Sequence, residues 1–83
     1  MTQYLILCPT LTWAQRAART LERSGIAASV VKAPQRLSER GCGYAVSLTR
    51  RFDDAVNILK RNGLLKGKIY RREENGDFTE SGA

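Results

Sequence analysis

The chain has 83 residues, with 14 lysines and arginines against 8 aspartates and glutamates, two cysteines and no histidine. A chain of this length forms one domain with one hydrophobic core. Because histidine is absent, the chain has no Ser-His-Asp or Cys-His catalytic pair and no imidazole base. Two cysteines alone cannot supply the four nitrogen or sulfur ligands of a structural zinc site. We therefore expect neither a metal nor another cofactor.

The positive charge is concentrated in residues 1–72. This part holds all 14 basic residues and four acidic ones, a net charge of +10, whereas residues 73–83 carry −4. We divide the chain there into a basic domain and an acidic tail. The tail has one large apolar residue, Phe78, which is too little burial to offset the ordering entropy, so we expect the tail to be disordered. A basic domain attracts nucleic acid, acidic proteins or phosphate groups, although a merely solvated surface has the same composition.

The N-terminus predicts no targeting segment. The run MTQYLILCPT has no positively charged N-terminal region, and its apolar stretch is too short for a signal peptide or a membrane span. We expect a cytoplasmic protein that does not bind membranes. In a reducing compartment, Cys8 and Cys42 are expected to be thiols rather than a structural disulfide.

The first half of the chain has the pattern strand, helix, strand. Gln3–Cys8 is a short, β-favouring apolar run that ends before a proline. A T-x-x-Q capping box and apolar residues at helical spacing predict a helix over Thr12–Ser24, with Gly25 as its left-handed C-cap. The segment Ile26–Lys32 is the second predicted strand.

The second half repeats this pattern after an irregular connection. Pro34–Gly43 contains proline, serine and two glycines, which are typical of a loop. Tyr44–Leu48 alternates large and small residues and is the third predicted strand. Apolar spacing from Phe52 to Leu59 predicts a second helix with Gly63 as its C-cap, and Lys68–Tyr70 is a weaker fourth strand.

The order β-α-β-β-α-β predicts a ferredoxin-like α+β two-layer sandwich, with a four-stranded antiparallel sheet and two helices on one face. Right-handed crossovers place the first and third strands side by side and antiparallel in the centre. The end of the first strand, at Cys8, should then lie close to the start of the third, just after Cys42. Cys8 is either a buried apolar residue or a resolving thiol that forms a reversible disulfide with oxidised Cys42.

Cys42 is the main candidate for a reactive group. It lies between Gly41 and Gly43, and glycines allow backbone amides to approach a sulfur or a ligand closely. Arg36 and Arg40 add positive charge, which together with these amides favours the thiolate, the reactive form, and suits the binding of an anionic substrate. The alternative is that Cys42 is a small apolar residue in a tight turn.

Several residues together resemble a known family. They are Pro9-Thr10 after the first strand, Arg16-Ala17 to Leu21 in the first helix, Gly25-Ile26, the P-x-x-L-S motif at Pro34–Ser38, and Cys42-Gly43 followed by Ala45-Val46. Over roughly residues 3–70 the chain resembles the small selenium/sulfur (Se/S) carrier-like proteins of the DUF3343 family. The resemblance implies a cytoplasmic thiol carrier, rather than an enzyme, in which Cys42 holds a persulfide or its selenium equivalent. It also implies a donor or acceptor partner such as a cysteine desulfurase.

The same motif supports an alternative function in RNA binding. RRM domains share this element order, and their third strand carries R/K-G-F/Y-G/A-F/Y, which Arg40 to Tyr44 match except that cysteine replaces an aromatic residue. Tyr4 on the first strand could join Tyr44 in stacking on bases. The alternative hypothesis is therefore a basic adaptor, acting through Tyr4, Tyr44 and Arg40, that binds RNA or an acidic protein.

Overall fold

The computed structural model of the protein describes residues 3–34, 43–65 and 68–80. Within these ranges the chain forms two helices and one five-stranded sheet. The elements in chain order are β1 (Gln3–Cys8), α1 (Leu11–Arg23), β2 (Ser29–Lys32), β3 (Tyr44–Leu48), α2 (Phe52–Arg61), β4 (Ile69–Arg72) and β5 (Phe78–Glu80).

The sheet is antiparallel, with the strand order β2-β3-β1-β4-β5. The predicted central pair is confirmed: β1 and β3 lie side by side, with Tyr4 opposite Leu48 and Cys8 opposite Tyr44. The predicted bounds of these two strands are also confirmed. The arrangement is an α+β fold that is compatible with a ferredoxin-like sandwich extended by one strand at the edge of β4.

The prediction of four strands is wrong, because the chain after Arg72 adds a fifth. Strand β5 pairs with β4, which places Phe78 opposite Arg72, and the intervening turn is closed by a 2.7 Å hydrogen bond from the amide of Glu73 to the carbonyl of Asp77. Phe78 packs against an apolar cluster that includes Leu5 and Leu7. The predicted disorder of the tail is therefore wrong for Phe78–Glu80, since this segment finds its burial on the sheet.

Both predicted glycine caps are confirmed, whereas the first helix spans Leu11–Arg23 rather than Thr12–Ser24. Gly25 and Gly63 have φ angles of 82° and 68°, and the next amide in each case donates to the carbonyl five residues earlier, at 2.9 and 2.8 Å. The N-cap of α1 is Thr10 rather than Thr12, because the hydroxyl of Thr10 accepts a 3.1 Å hydrogen bond from the amide of Trp13. The capping box was therefore placed two residues too late.

Apolar residues are buried on both faces of the sheet. The main cluster lies between the helices and one face, and the second cluster lies on the other face. Strand β1 supplies both, because its successive side chains point to opposite sides. The second cluster consists of Leu5, Leu7, Ala33 and Ala45, with Val31, Tyr70 and Phe78 packed against it.

Candidate functional site

The predicted reactive centre lies mostly outside the described residues. Cys42, Gly41, Arg36 and Arg40 all belong to residues 35–42, so their arrangement stays a prediction. Both flanks of this segment are described. The amide of Ala33 donates a 2.7 Å hydrogen bond to the carbonyl of Gly43. The segment that contains Cys42 therefore begins and ends at the same end of the sheet.

Cys8 lies at that same end, on the main cluster. Its side chain is 1% exposed and its thiol donates a 3.5 Å hydrogen bond to the carbonyl of Ile6. The predicted approach of Cys8 to the start of β3 is confirmed by its pairing with Tyr44, whereas the distance to Cys42 lies outside the described residues. The role of Cys8 as a resolving thiol stays a prediction.

Lys32 is a cation near the site that the sequence analysis did not single out. It is exposed at the end of β2, directly opposite Tyr44 in the ladder with β3. Its positive charge therefore lies beside the point where residues 35–42 rejoin the sheet. This position of Lys32 follows only from the register of β2 against β3, because Lys32 lies ten positions before Cys42 in the sequence.

The two tyrosines of the RNA-binding alternative face the helices. Tyr4 and Tyr44 both pack against the main cluster, and the ring of Tyr4 stacks on Phe52 with centroids 3.9 Å apart and planes 12° apart. An RRM binds bases on the sheet face that its helices leave open. Tyr70 and Phe78 lie on that face here, half-buried in the second cluster. Tyr4 and Tyr44 therefore lie on the helix side of the sheet, opposite to the face on which an RRM binds bases.

Two acidic residues near β5 form ion pairs with basic residues in or near β4. Arg71 donates from Nη2 to Oε1 of Glu73 at 2.9 Å, and Lys68 lies 3.9 Å from Glu80. The hydrogen bond and charge of Glu73 raise the pKa of Arg71 above its ordinary value. Conversely, hydrogen bonds from Arg71 and then Thr79 lower the pKa of the Glu73 carboxyl. These acids stabilise the β4–β5 hairpin locally.

Helix α1 presents three exposed arginines on one side. Arg16, Arg19 and Arg23 are exposed and line a shallow depression with Thr12 and other polar residues of the helix. The buried face of the same helix is apolar, with Ala14, Ala17, Ala18 and Leu21 in the main cluster. The amphipathic pattern therefore separates the core from a strongly cationic surface.

Two further kinds of site are absent from residues 3–34, 43–65 and 68–80. No group of three or more cysteines, aspartates and glutamates there is placed to hold a metal ion. Neither helix in these ranges has the length and apolar character needed to cross a membrane.

Comparison with known protein families gives a match over most of the chain. A family model described as "Putative Se/S carrier protein-like" matches residues 3–71, from β1 almost to the end of β4. The chain belongs to this family. The resemblance inferred from the P-x-x-L-S and Cys-Gly motifs is thus confirmed, and the matched range contains both Cys8 and Cys42. Searches of the curated proteins and of the solved structures gave no match.

Proposed function

We propose that this protein is a cytoplasmic carrier of sulfur or selenium that holds its cargo on Cys42. The observation that carries the proposal is the family match over residues 3–71, which includes Cys42 and both of its sheet-bound flanks. The hydrogen bond between Ala33 and Gly43 supports it, because it fixes in the sheet the residue that follows Cys42 in the sequence. The carrier works between a donor and an acceptor protein, and a cysteine desulfurase is the donor we propose.

Loading of the carrier is a transfer between two cysteine sulfurs. The Cys42 thiolate attacks the terminal sulfur of a persulfide on the donor. A new S–S bond forms between Cys42 Sγ and that terminal sulfur, while the bond from the terminal sulfur to the donor cysteine breaks. The donor leaves as a thiolate, and the proton of its persulfide remains on the transferred sulfur. The step needs no external oxidant or reductant, and unloading repeats it with an acceptor thiolate.

The residues around Cys42 suit this step because they favour a thiolate. Arg36 and Arg40 are close in sequence, and the amides of Gly41 and Gly43 can donate to an anionic sulfur. Lys32 adds a further positive charge at the same end of the sheet. A thiolate formed this way requires no histidine as a general base, which agrees with the composition of the chain.

Mass spectrometry tests the proposal directly. Incubation with a cysteine desulfurase and cysteine should add one sulfur atom to the protein, and peptide mapping should place it on Cys42. The Cys42→Ser variant should stay unlabelled, whereas Cys8→Ala, the matched control, should still be labelled because Cys8 is buried. Glutathione persulfide serves as a donor that requires no protein docking. Labelling of Cys42→Ser as strong as that of the wild type, or no adduct from either donor, contradicts the proposal.

A further inference from the structure

Three arginines form a row along the exposed side of α1. Arg16, Arg19 and Arg23 are spaced by three and four residues, so their side chains leave the same side of the helix. All three are exposed. Within the described residues, none of their guanidinium groups takes part in an ion pair or a hydrogen bond. We call these residues the arginine row.

The acids within the described residues form no ion pair with the arginine row. Glu73 and Glu80 pair with cations of the β4 region on another part of the surface. Helix α1 itself has a single acid, Glu22, and no acid in its first turn. Three neighbouring arginines with one glutamate therefore leave a net positive charge that an outside partner can neutralise.

The surroundings of the row fit a protein better than a nucleic acid. Leu11, at the start of α1, is 40% exposed and is the most exposed large apolar residue described. It is an exposed apolar group on the same helix as the row, and protein interfaces combine apolar with charged contacts. The aromatic residue nearest in the helix, Trp13, is half-buried and donates from Nε1 to the carbonyl of Leu64 at 2.7 Å. It is therefore not free to stack on bases, which binding of a single strand needs.

We propose that the arginine row, together with Leu11, is the docking surface for an acidic protein partner. The partner presents carboxylates along about two turns of a helix or an equivalent surface, with an apolar residue at the end that meets Leu11. Arginine suits this role because its planar guanidinium forms bidentate hydrogen bonds with carboxylates. The inference does not depend on the cargo of Cys42, because the surface lies on a different element.

A designed probe tests this surface without knowledge of the natural partner. The probe is a fluorescein-labelled helical peptide with glutamates at i, i+3 and i+7 and a leucine one turn before the first of them. Its binding is measured by fluorescence anisotropy to the full chain. The triple variant Arg16→Gln/Arg19→Gln/Arg23→Gln should bind the peptide about tenfold more weakly, since three exposed ion pairs are lost. Amide chemical-shift changes in the wild-type protein should concentrate on residues 11–23.

The matched control removes three charges elsewhere. Lys60→Gln/Arg61→Gln/Arg72→Gln changes the net charge equally at exposed positions of α2 and β4, and should bind the peptide within about twofold of the wild type. Circular dichroism confirms that both variants are folded. Equal losses in the two variants, no binding by the wild type, or shift changes centred away from α1 overturn the proposal. Tighter binding of oligouridine or of phosphatidylserine vesicles than of the peptide, lost in the arginine-row variant, also overturns it.

Discussion

The amide of Ala33 donates a 2.7 Å hydrogen bond to the carbonyl of Gly43, and this bond joins the two flanks of the segment that contains Cys42. The bond continues the ladder in which Lys32 lies opposite Tyr44. The position of Gly43 is consequently set by the sheet rather than by its own segment.

The position of Lys32 predicts an effect on the reactivity of Cys42. Lys32 lies at the end of the sheet where the segment 35–42 leaves and rejoins it, and we expect its positive charge to favour the thiolate form of Cys42. Lys32→Met should therefore shift the midpoint of iodoacetamide labelling of Cys42 to higher pH, measured by mass spectrometry of the labelled peptide across pH. Lys60→Met, an exposed lysine on α2, is the control and should leave the midpoint unchanged. A shift equal in both variants would mean that net charge alone is responsible.

The stack between Tyr4 and Phe52 predicts a loss of stability when it is removed. Phe52 lies half-buried at the start of α2, and its ring joins this helix to β1. Phe52→Ala should lower the free energy of unfolding by about 2 kcal/mol, from lost apolar burial and lost ring stacking. Urea denaturation measures the change, with Arg50→Ala as an exposed neighbour expected to stay within about 0.5 kcal/mol of the wild type. A change below that limit for Phe52→Ala would show that the stack contributes little.

Local patterns were enough to predict most of the elements. Strands β1 and β3 and the glycine C-caps depend on residues close in sequence, and the element order then restricts the topology to a few arrangements. Such patterns could not predict which face of β1 the helices cover. Because Leu5, Ile6 and Leu7 are all buried, alternation along the strand does not tell which side the helices cover. The side on which Tyr4 lies was therefore open until the helices were placed.

The fifth strand was missed for a related reason. Phe78 packs against residues of β1 that lie about seventy positions earlier in the chain. The composition of residues 73–83 alone does not indicate this contact. The site was predicted only as a set of residue types near Cys42, together with a family motif. The family is confirmed, whereas the chemistry of Cys42 stays a prediction because a motif specifies neighbours in sequence and not the distances that determine a thiol pKa.

Loss of the hydrogen bond that Trp13 donates should lower the stability of the protein. Its indole Nε1 donates to the carbonyl of Leu64 at 2.7 Å and so connects the start of α1 with the chain after α2. Trp13→Phe keeps an aromatic ring but removes the donor, and should lower the free energy of unfolding by about 1 kcal/mol. Thermal and urea denaturation measure the effect, with Gln15→Ala on the exposed face of α1 as the control. A loss no larger than that of the control would mean that water replaces the indole donor at this carbonyl.

The lowered pKa of Glu73 should make the stability of the protein depend on pH. Its folded-state pKa is lowered, first by the hydrogen bond from Arg71, so the folded state favours the carboxylate. The stabilising contribution is thus fully present above the ordinary carboxyl pKa of 4.5 and is lost as the pH falls through the lowered value. The melting temperature of Glu73→Gln should fall less between pH 5 and about pH 3 than that of the wild type. Glu74→Gln, at the adjacent exposed position, should retain the wild-type slope, and an equal slope in all three proteins would contradict the assignment.

Removal of residues 73–83 should make the protein less stable and more prone to associate. Without β5, strand β4 becomes an edge with unpaired backbone groups, and the cluster around Leu5 and Leu7 loses the cover of Phe78. We expect the chain 1–72 to lose about 2 kcal/mol of stability in urea denaturation and to associate in sedimentation experiments. Phe78→Ala keeps the length of the tail but removes the ring, so it should lose about 1 kcal/mol without strong association. If the chain 1–72 is as stable as the whole protein and remains monomeric, the independent domain ends at Arg72 and β5 contributes nothing to it.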